Sequence, residues 1–330
     1  MKRGLFAVGC AGLLFGSVAF GDEAAKPYVG YWALNLAGGG AGWMGIEQAD
    51  SGALSGSILW GGGSPVPYEK VSVENGALVV TRTLTEKKNG KDEKKTEKIV
   101  AQEANGQLTV VKVILATDGK ETGKSEFKGK KIPPLPPKPD LSKVKFGEPI
   151  KLFEKGLDGW VTMNPKAFNG WSMKDDVLSN RVIDEKGKNK HGANLRTVAT
   201  SFEDFNLKTE VSMAKNGNSG IYLRGIYEIQ MTDSFGKGVN CHNMGALYGR
   251  VTPLVAAEKP FGEWQTIDIT LCDRHVTVIL NGKTIIDNQP ALGVTGGAIT
   301  SDEFVPGPIY LQGDHSNVDY RNMVLTPIVK

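Results

Sequence analysis

The chain has 330 residues, which is enough for two domains that each bury a core of their own. Its apolar and charged fractions, 40% and 23%, are those of a globular protein rather than of a disordered one. The formal net charge of +3 does not favour a nucleic-acid partner, and the sequence shows no basic stripe interleaved with aromatic residues.

The first segment, residues 1–21, has the pattern of a secretory signal peptide. Two basic residues precede an apolar run from Leu5 to Phe20, and small residues stand just before the acidic Asp22. The run is too short for a comfortable membrane span, and no later stretch is long and apolar enough to be one. We therefore expect a secreted or periplasmic protein that is cleaved before Asp22 and has no membrane span.

Two cysteines remain after that cleavage, Cys241 and Cys272. In an oxidising compartment they could form a disulfide, and two buried free thiols fit the sequence equally well. Because they lie in separate segments, they do not form a metal-binding motif.

Residues 22–130 are a series of short strand-like runs separated by turn residues. The tripeptides ENG (74–76) and ANG (104–106) lie between alternating runs and predict β-hairpins. About eight strands with short links predict an up-and-down meander, which loses its free edges most easily by closing into a barrel. Since GYW (30–32) resembles the opening of lipocalin-like barrels, we predict a small lipocalin-like β-barrel that acts as an accessory or spacing domain.

Closely spaced prolines divide the chain at residues 131–146. Proline lacks a backbone donor and favours polyproline II, so KIPPLPPKPD predicts a semi-rigid linker. Residues 147–330 contain further strand-like runs and no sustained helical periodicity. This many strands in about 185 residues predicts a two-sheet sandwich or jelly roll, and hence an all-β chain.

The stretch NSGIYLRGIYEIQMTDSFG (218–236) reads as two short strands joined at Gly225. Side chains alternate between the two faces of a strand, so Glu228 and Gln230 share one face while Ile229 lies on the other. The polar face is either a solvated sheet surface or the floor of a ligand-binding cleft. Alternation alone does not decide between these two interpretations.

The second half of the chain resembles the 3-keto-disaccharide hydrolase family of secreted bacterial proteins. The resemblance runs from about Pro149 to Ile328 and rests on the order and spacing of short stretches, which are LFEKGLDGW, LRTVATSFEDFNLKTEVS, NSGIYLRGIYEIQMTDSFG, GALYG, GEWQTIDITL, LNGKTI and GPIYLQGDHSNVDYRNMVL. It implies a concanavalin-A-like jelly roll. In HGANLRT (191–197) the tryptophan that many members carry after the leucine is absent, which leaves the sugar preference open.

The activity that the resemblance implies is cleavage of a glycoside already oxidised to a ketone at ring carbon 3. The ketone acidifies the hydrogen on carbon 2, so a base can remove it. The group on carbon 1 then leaves by elimination, and water adds to give the free keto sugar. Such a site needs a base, a stabiliser for the developing enolate oxygen and a proton donor for the leaving group.

Glu228 is the leading candidate for the base, since the family resemblance includes its Glu-x-Gln-x-x-Asp run. Gln230, on the same strand face, is predicted to bind substrate. Asp233 follows at the expected end of the strand and is a further catalytic candidate. The alternative for Asp233 is an ordinary turn in TDSFG.

Five further side chains complete the predicted site. Arg224 and Tyr222 would share a face of the neighbouring strand, where the guanidinium would bind the ketone oxygen or pair with a carboxylate for structural reasons. His315, which follows an aspartate in QGDHSN, is predicted to be a general acid or base, with a turn-stabilising role as the alternative. His242 and Tyr248 lie on a polar loop that would close over the same face and bind substrate.

A divalent metal ion acting as a Lewis acid on the ketone would suit part of this arrangement. Its candidate ligands are Glu228, Asp233, His242 and His315, although no local spacing motif supports the set. The predicted partner is an oligosaccharide or glycoside substrate. The alternative function is a non-catalytic carbohydrate-binding module, because the same fold serves lectins. The joint presence of Glu228 and His315 favours the enzyme.

Overall fold

The computed structural model describes residues 23–36, 39–88 and 90–329, and the predicted signal peptide lies outside them. The described residues are almost entirely strands and connecting loops, with a helical turn at residues 23–25 and a 3-10 turn at Gly156–Gly159, so the all-β prediction is confirmed. Within those ranges no helix has the length and apolar character needed to cross a membrane.

The front part of the chain forms one curled antiparallel sheet. Its strands are β1 (Gly30–Asn35), β2 (Ala41–Gln48), β3 (Leu54–Trp60), β4 (Val66–Pro67), β5 (Lys70–Glu74), β6 (Ala77–Lys88), β7 (Lys91–Ala104), β8 (Gln107–Leu115) and β9 (Glu121–Ile132). They are ordered β4-β3-β2-β1-β9-β8-β7-β6-β5, so the first strand pairs with the last and the ladder is open between β4 and β5. The meander is as predicted, while its likeness to a lipocalin barrel stays a prediction.

Two predicted hairpins of this sheet are confirmed by their backbone. Asn75 and Gly76 connect β5 to β6 with φ values of 51° and 77°, and Asn105 and Gly106 connect β7 to β8 with 54° and 76°. Asparagine and glycine tolerate this left-handed region, which matches the twist of the paired strands. Trp32 of the GYW tripeptide is fully buried in the core of the front sheet.

The second part of the chain is a jelly-roll sandwich of two antiparallel sheets. Its strands are β10 (Lys145–Phe146), β11 (Ile150–Lys151), β12 (Trp160–Thr162), β13 (Trp171–Lys174), β14 (Val177–Asn180), β15 (Leu195–Thr197), β16 (Phe205–Met213), β17 (Asn218–Leu223), β18 (Tyr227–Thr232), β19 (Trp264–Cys272), β20 (His275–Leu280), β21 (Lys283–Pro290), β22 (Tyr310–Leu311) and β23 (Val318–Val329). The larger sheet runs β13-β14-β23-β16-β19-β20-β21, with β10 and β11 added beside β23. The smaller sheet runs β12-β15-β22-β17-β18.

The smaller sheet separates apolar from polar side chains with the period of two that the sequence predicts. Ile221 and Ile229 are fully buried in the core between the sheets, where they belong to the same cluster as Ile267 of the larger sheet. Tyr222 and Glu228, a cross-strand pair, therefore project from the opposite face. The outer face of this sheet positions the candidate site.

The front sheet packs directly against the sandwich. Trp43 and Leu59 of the front sheet belong to the same buried cluster as the jelly-roll core. The linker also touches the sandwich, because Asn288 Nδ2 donates to the carbonyl of Pro139 over 2.8 Å. The two parts therefore share a core, and the role of the front sheet as an accessory or spacing domain stays a prediction.

Candidate active site

A polar cleft of about 350 Å³ lies on the outer face of the smaller sheet. This volume is at the lower end of the range of roughly 300–1,000 Å³ usual for ligand pockets. Its floor comes from three adjacent strands, β18, β17 and β22. The floor residues are Asn218, Tyr222, Glu228, Gln230 and Tyr310, together with Gln312, which directly follows β22.

Glu228 is the buried carboxyl group of the cleft, with only 3% of its surface exposed. Its backbone N–H donates to Thr295 Oγ1 over 2.9 Å, which fixes this point of β18 against the loop that crosses it. Its Oε2 accepts a hydrogen bond of 2.9 Å from the hydroxyl of Tyr222, the residue opposite it on β17. The carboxyl group is therefore held in one orientation.

Burial raises the pKa of Glu228 from its ordinary value of 4.5 to about 8. The hydrogen bond from Tyr222 and the positive charge of His315 act in the opposite direction without cancelling the effect of burial. A carboxyl group with this pKa ionises near neutral pH, where a general acid or base is most effective.

Tyr222 and Tyr310 form a stacked pair beside this carboxyl group. Their rings are 4.1 Å apart and inclined by 11°, and both side chains are buried. The Tyr222 hydroxyl also lies 2.7 Å from the carbonyl of Gly296, and Asn194 Nδ2 donates to the Tyr310 hydroxyl over 3.0 Å. Burial raises the pKa of both phenols, so they are neutral hydroxyls that orient the carboxyl group and the floor around it.

Two glycines make room for this arrangement. A Cβ atom on Gly220 would lie 2.3 Å from Glu228 Oε1, and one on Gly297 would lie 2.5 Å from the Tyr222 hydroxyl. Both distances are too short for non-bonded atoms. The carboxyl group therefore occupies space that exists only because position 220 has no side chain.

We expect Gly220→Ala to destabilise the fold by about 1–3 kcal/mol, because the new methyl group displaces a buried carboxyl group. Replacing glycine with alanine at an unstrained strand position would instead stabilise the fold by about 0.4–1 kcal/mol. Urea unfolding measures the difference. Gly123→Ala in β9 is the matched control, since its Cβ would meet only Ile114, at 3.8 Å. Equal effects of the two substitutions on stability would contradict the expectation.

His315 lies at the rim of the cleft, where its side chain is 48% exposed. Its Nδ1 donates to Asp314 Oδ1 over 2.5 Å. This hydrogen bond raises the pKa of His315 above its usual 6.5, against a lowering effect of partial burial. The cleft thus contains a protonatable imidazole that is oriented by a neighbouring carboxylate, together with the buried carboxyl group of Glu228.

Amide side chains supply the remaining polarity of the cleft. Gln230 Nε2 donates to Asn218 Oδ1 over 3.2 Å, which orients both amides. The buried oxygens Gln230 Oε1 and Gln312 Oε1 have no hydrogen-bond partner among the described residues. A buried acceptor without a partner is costly, so a ligand hydroxyl that donates to either oxygen would gain binding free energy.

Arg224 and Asp233 are not among the cleft-lining residues, contrary to the sequence-based prediction. Arg224 lies in the β17–β18 turn with a φ of 54°, and its NH2 donates to the carbonyls of Glu303 and Val305. Asp233 Oδ2 accepts from the backbone N–H of Asn216 over 2.8 Å, which is the turn role that the sequence offered as the alternative. Both predictions failed because the turns direct these side chains away from the floor.

Tyr248 lines the cleft as predicted, and His242 supports it from outside. The two rings meet edge to face with centroids 5.1 Å apart. His242 Nδ1 donates to Asn240 Oδ1 over 2.9 Å, since an amide oxygen only accepts. In the neutral imidazole Nε2 then accepts from the hydroxyl of Ser64, 2.6 Å away, which belongs to the front sheet's β3–β4 loop.

The four predicted metal ligands do not assemble into a metal centre. Among the described residues, one group of three potential ligand atoms lies within 4.8 Å, and it consists of Asp204, Cys272 and Asp273. None of these three lines the cleft. No disulfide joins Cys241 and Cys272 in the structure.

Several cleft residues were missed by the sequence analysis. Tyr310 and Gln312 were detectable, because alternation in PIYLQGD places them on one face, just as it does Glu228 and Gln230. No local pattern indicated Asn194, or the front-sheet glycines Gly62 and Gly63, which lie far before the floor strands in the sequence.

Residues 148–326, more than half of the chain, match the sequence profile of the 3-keto-alpha-glucoside-1,2-lyase-like domain. A candidate glycosyl hydrolase from Parabacteroides distasonis is 26% identical with a TM-score of 0.42, over 59% of this chain and 93% of that one. A second candidate glycosyl hydrolase from that organism is 25% identical with a TM-score of 0.41, and the match covers 54% of this chain and 98% of that one. The carbohydrate-binding module CBM66 from Bacillus subtilis is 12% identical with a TM-score of 0.30, and the match covers 50% of this chain and 93% of that one. No curated protein matches the chain.

Proposed function

Since the chain belongs to the family of 3-keto-alpha-glucoside-1,2-lyase-like domains, we propose that it is an enzyme that cleaves 3-keto glycosides. Family membership makes it a carbohydrate-active protein. The signal-peptide pattern of residues 1–21 adds the proposal that it acts in the periplasm or outside the cell.

One observation carries the proposal, namely the buried carboxyl group of Glu228 in the same cleft as His315. A lectin needs stacking surfaces and amides, whereas a buried carboxyl group with a pKa of about 8 is typical of sites that transfer protons. An elimination reaction needs a base and a separate proton donor, and this cleft contains candidates for both.

The proposed reaction forms a double bond and breaks the glycosidic bond. The Glu228 carboxylate takes the proton from carbon 2, and the electron pair of that C–H bond becomes the carbon 1–carbon 2 double bond. The carbon 1–oxygen bond breaks, and its electron pair leaves with the aglycone oxygen. The protonated imidazole of His315 gives its proton to this oxygen. Addition of water across the double bond then yields the free 3-keto sugar.

The other cleft residues would orient the substrate. Tyr222 holds the carboxyl group in position through its hydroxyl. The amide oxygens of Gln230 and Gln312 accept from sugar hydroxyls, while amide N–H groups of the cleft stabilise the developing enolate oxygen. These roles use groups that the fold already fixes, so little reorganisation is needed on binding.

The test is incubation of the purified protein with a 3-keto disaccharide and with its unoxidised parent, with and without a chelator. We expect release of the keto sugar from the oxidised substrate alone, because only the ketone acidifies carbon 2. Release is expected to continue in the presence of chelator, since the four candidate ligands do not assemble. Equal cleavage of the parent would contradict the elimination mechanism, and chelator-sensitive turnover would contradict the assignment to protein side chains alone.

A binding module gives a different result in the same experiment. Saturable binding of either sugar, measured by isothermal titration calorimetry, without any release of product would favour the non-catalytic alternative.

A further inference from the structure

A loop of the front sheet forms one wall of the cleft. This loop, residues 61–64 between β3 and β4, has the sequence GGGS and is called here the glycine loop. Gly62 and Gly63 line the cleft together with Glu228 and His315 of the jelly roll. The site is therefore built by both parts of the chain, and its wall lies outside the matched residues 148–326.

The glycine loop is seated on the jelly roll by backbone contacts. The carbonyl of Gly61 accepts a hydrogen bond of 2.7 Å from the backbone N–H of Gly297, next to the Tyr222 hydroxyl. A Cβ atom on Gly296 would lie 2.2 Å from the carbonyl oxygen of Gly63, and one on Gly249 would lie 2.5 Å from Ser64 Oγ. The two surfaces approach so closely that neither jelly-roll position has room for a side chain.

The glycine loop also joins the residues that flank the cleft. Ser64 Oγ is hydrogen-bonded to His242 Nε2 over 2.6 Å, and His242 packs edge to face on the cleft residue Tyr248. Tyr248 therefore has its position set partly by the front sheet.

Packing on either side of the glycine loop holds the front sheet in place. Trp43 lies against Tyr31 on one face, with ring centroids 5.4 Å apart, and under the Arg250 guanidinium, which is 4.2 Å from its ring centroid. Ser301 Oγ donates to Asn35 Oδ1 over 3.2 Å. The glycine loop therefore lies at the edge of an extended contact between the front sheet and the jelly roll.

We infer that the glycine loop is the substrate-size determinant of this cleft, selecting short 3-keto glycosides of one or two sugar rings. This inference rests on the proposed function. The cleft has a volume of about 350 Å³ and Gly62 and Gly63 bound it on the side of the front sheet, so it offers room for a small ligand and not for a long polysaccharide chain. The absence of side chains at positions 61–63 leaves the space that a second ring would occupy.

The test is the substitution Gly62→Leu in the full-length protein. Gly62 does not have a left-handed φ, and a Cβ there meets no atom within 4 Å, so the side chain extends into the open space of the wall without disturbing the fold. We expect kcat/KM for a 3-keto disaccharide to fall at least about tenfold more than kcat/KM for the methyl 3-keto glucoside. Gly62→Ala should give a smaller change in the same direction.

Gly123→Leu in β9 is the matched control, since position 123 belongs to the front sheet and is not part of the cleft. The inference is overturned if Gly62→Leu leaves kcat/KM for both substrates within twofold of the wild-type values, or if it lowers kcat/KM for both substrates equally.

A binding measurement distinguishes a failure of this inference from a failure of the proposed function. If the wild-type protein turns over neither keto glycoside, the proposed function fails. Calorimetric titration with the unoxidised disaccharide and the methyl glucoside then tests the glycine loop alone, with selective weakening of disaccharide binding by Gly62→Leu expected. Unchanged disaccharide affinity overturns the inference.

Discussion

Replacing Glu228 with glutamine is expected to lower the turnover of a 3-keto glycoside strongly while increasing the stability of the fold at pH 8. Glutamine has almost the same shape and still accepts the hydrogen bond from Tyr222, so the cleft keeps its geometry. It cannot take a proton from carbon 2, and loss of a general base costs on the order of 10²–10⁴ in rate. Activity and stability should therefore change in opposite directions.

The gain in stability follows from the raised pKa of Glu228. The folded state holds this carboxyl group protonated up to about pH 8, whereas the unfolded chain ionises it above its ordinary value of 4.5. The favourable contribution of the neutral group is complete below pH 4.5 and is lost as pH rises toward 8. The loss is about 1.4 kcal/mol per pH unit, on the order of a few kcal/mol in total. Glutamine does not ionise, so the variant avoids this loss.

Urea unfolding at pH 5 and pH 8 measures the effect on stability, and initial rates with the 3-keto disaccharide measure activity. The variant should match the wild type at pH 5 more closely than at pH 8. Glu185→Gln makes the same chemical change at an exposed position and should alter neither property. Full activity of Glu228→Gln would remove this residue from the chemistry, and a variant less stable than the wild type at pH 8 would contradict the raised pKa.

Replacing His315 with asparagine is expected to lower kcat/KM by about 10²–10⁴ and to change the shape of the pH profile. In the wild type the rate should rise with pH as Glu228 ionises, toward its pKa of about 8, and fall as His315 loses its proton. Without the imidazole, the falling limb should disappear while the rising limb stays. A stabilising role in the turn alone would lower the rate at all pH values equally.

Asp314→Asn tests the same assignment without removing the imidazole. The Asp314 carboxylate raises the pKa of His315 through its hydrogen bond and its negative charge, and asparagine lacks that charge, so the falling limb should move to lower pH. His191→Asn is the control, since this histidine is exposed, lies outside the cleft and has a φ of 53° that asparagine tolerates. An unchanged falling limb in Asp314→Asn would show that another group is the proton donor.

Part of the site was predictable because strand geometry is local. Alternation in the sequence placed Tyr222, Glu228 and Gln230 on one face, and the apolar neighbours Ile221 and Ile229 on the other, as the structure has them. The hairpins at Asn-Gly pairs were predictable for the same reason, since φ at each position depends mainly on the residue type. Where regular geometry ended, at Arg224 and Asp233, the predictions failed, because a turn can send a side chain in directions that no period describes.

The sequence by itself determined the all-β class, the alternating strands that aim Glu228 outward, and the family of residues 148–326. Only the tertiary structure decided that Glu228 is buried, and with it the pKa of that carboxyl group, because burial depends on segments distant in the chain. Only the tertiary structure likewise showed that Gly62 and Gly63 form a wall of the cleft. Packing between two sheets joined them to the catalytic candidates, and no local pattern of residues encodes such a contact.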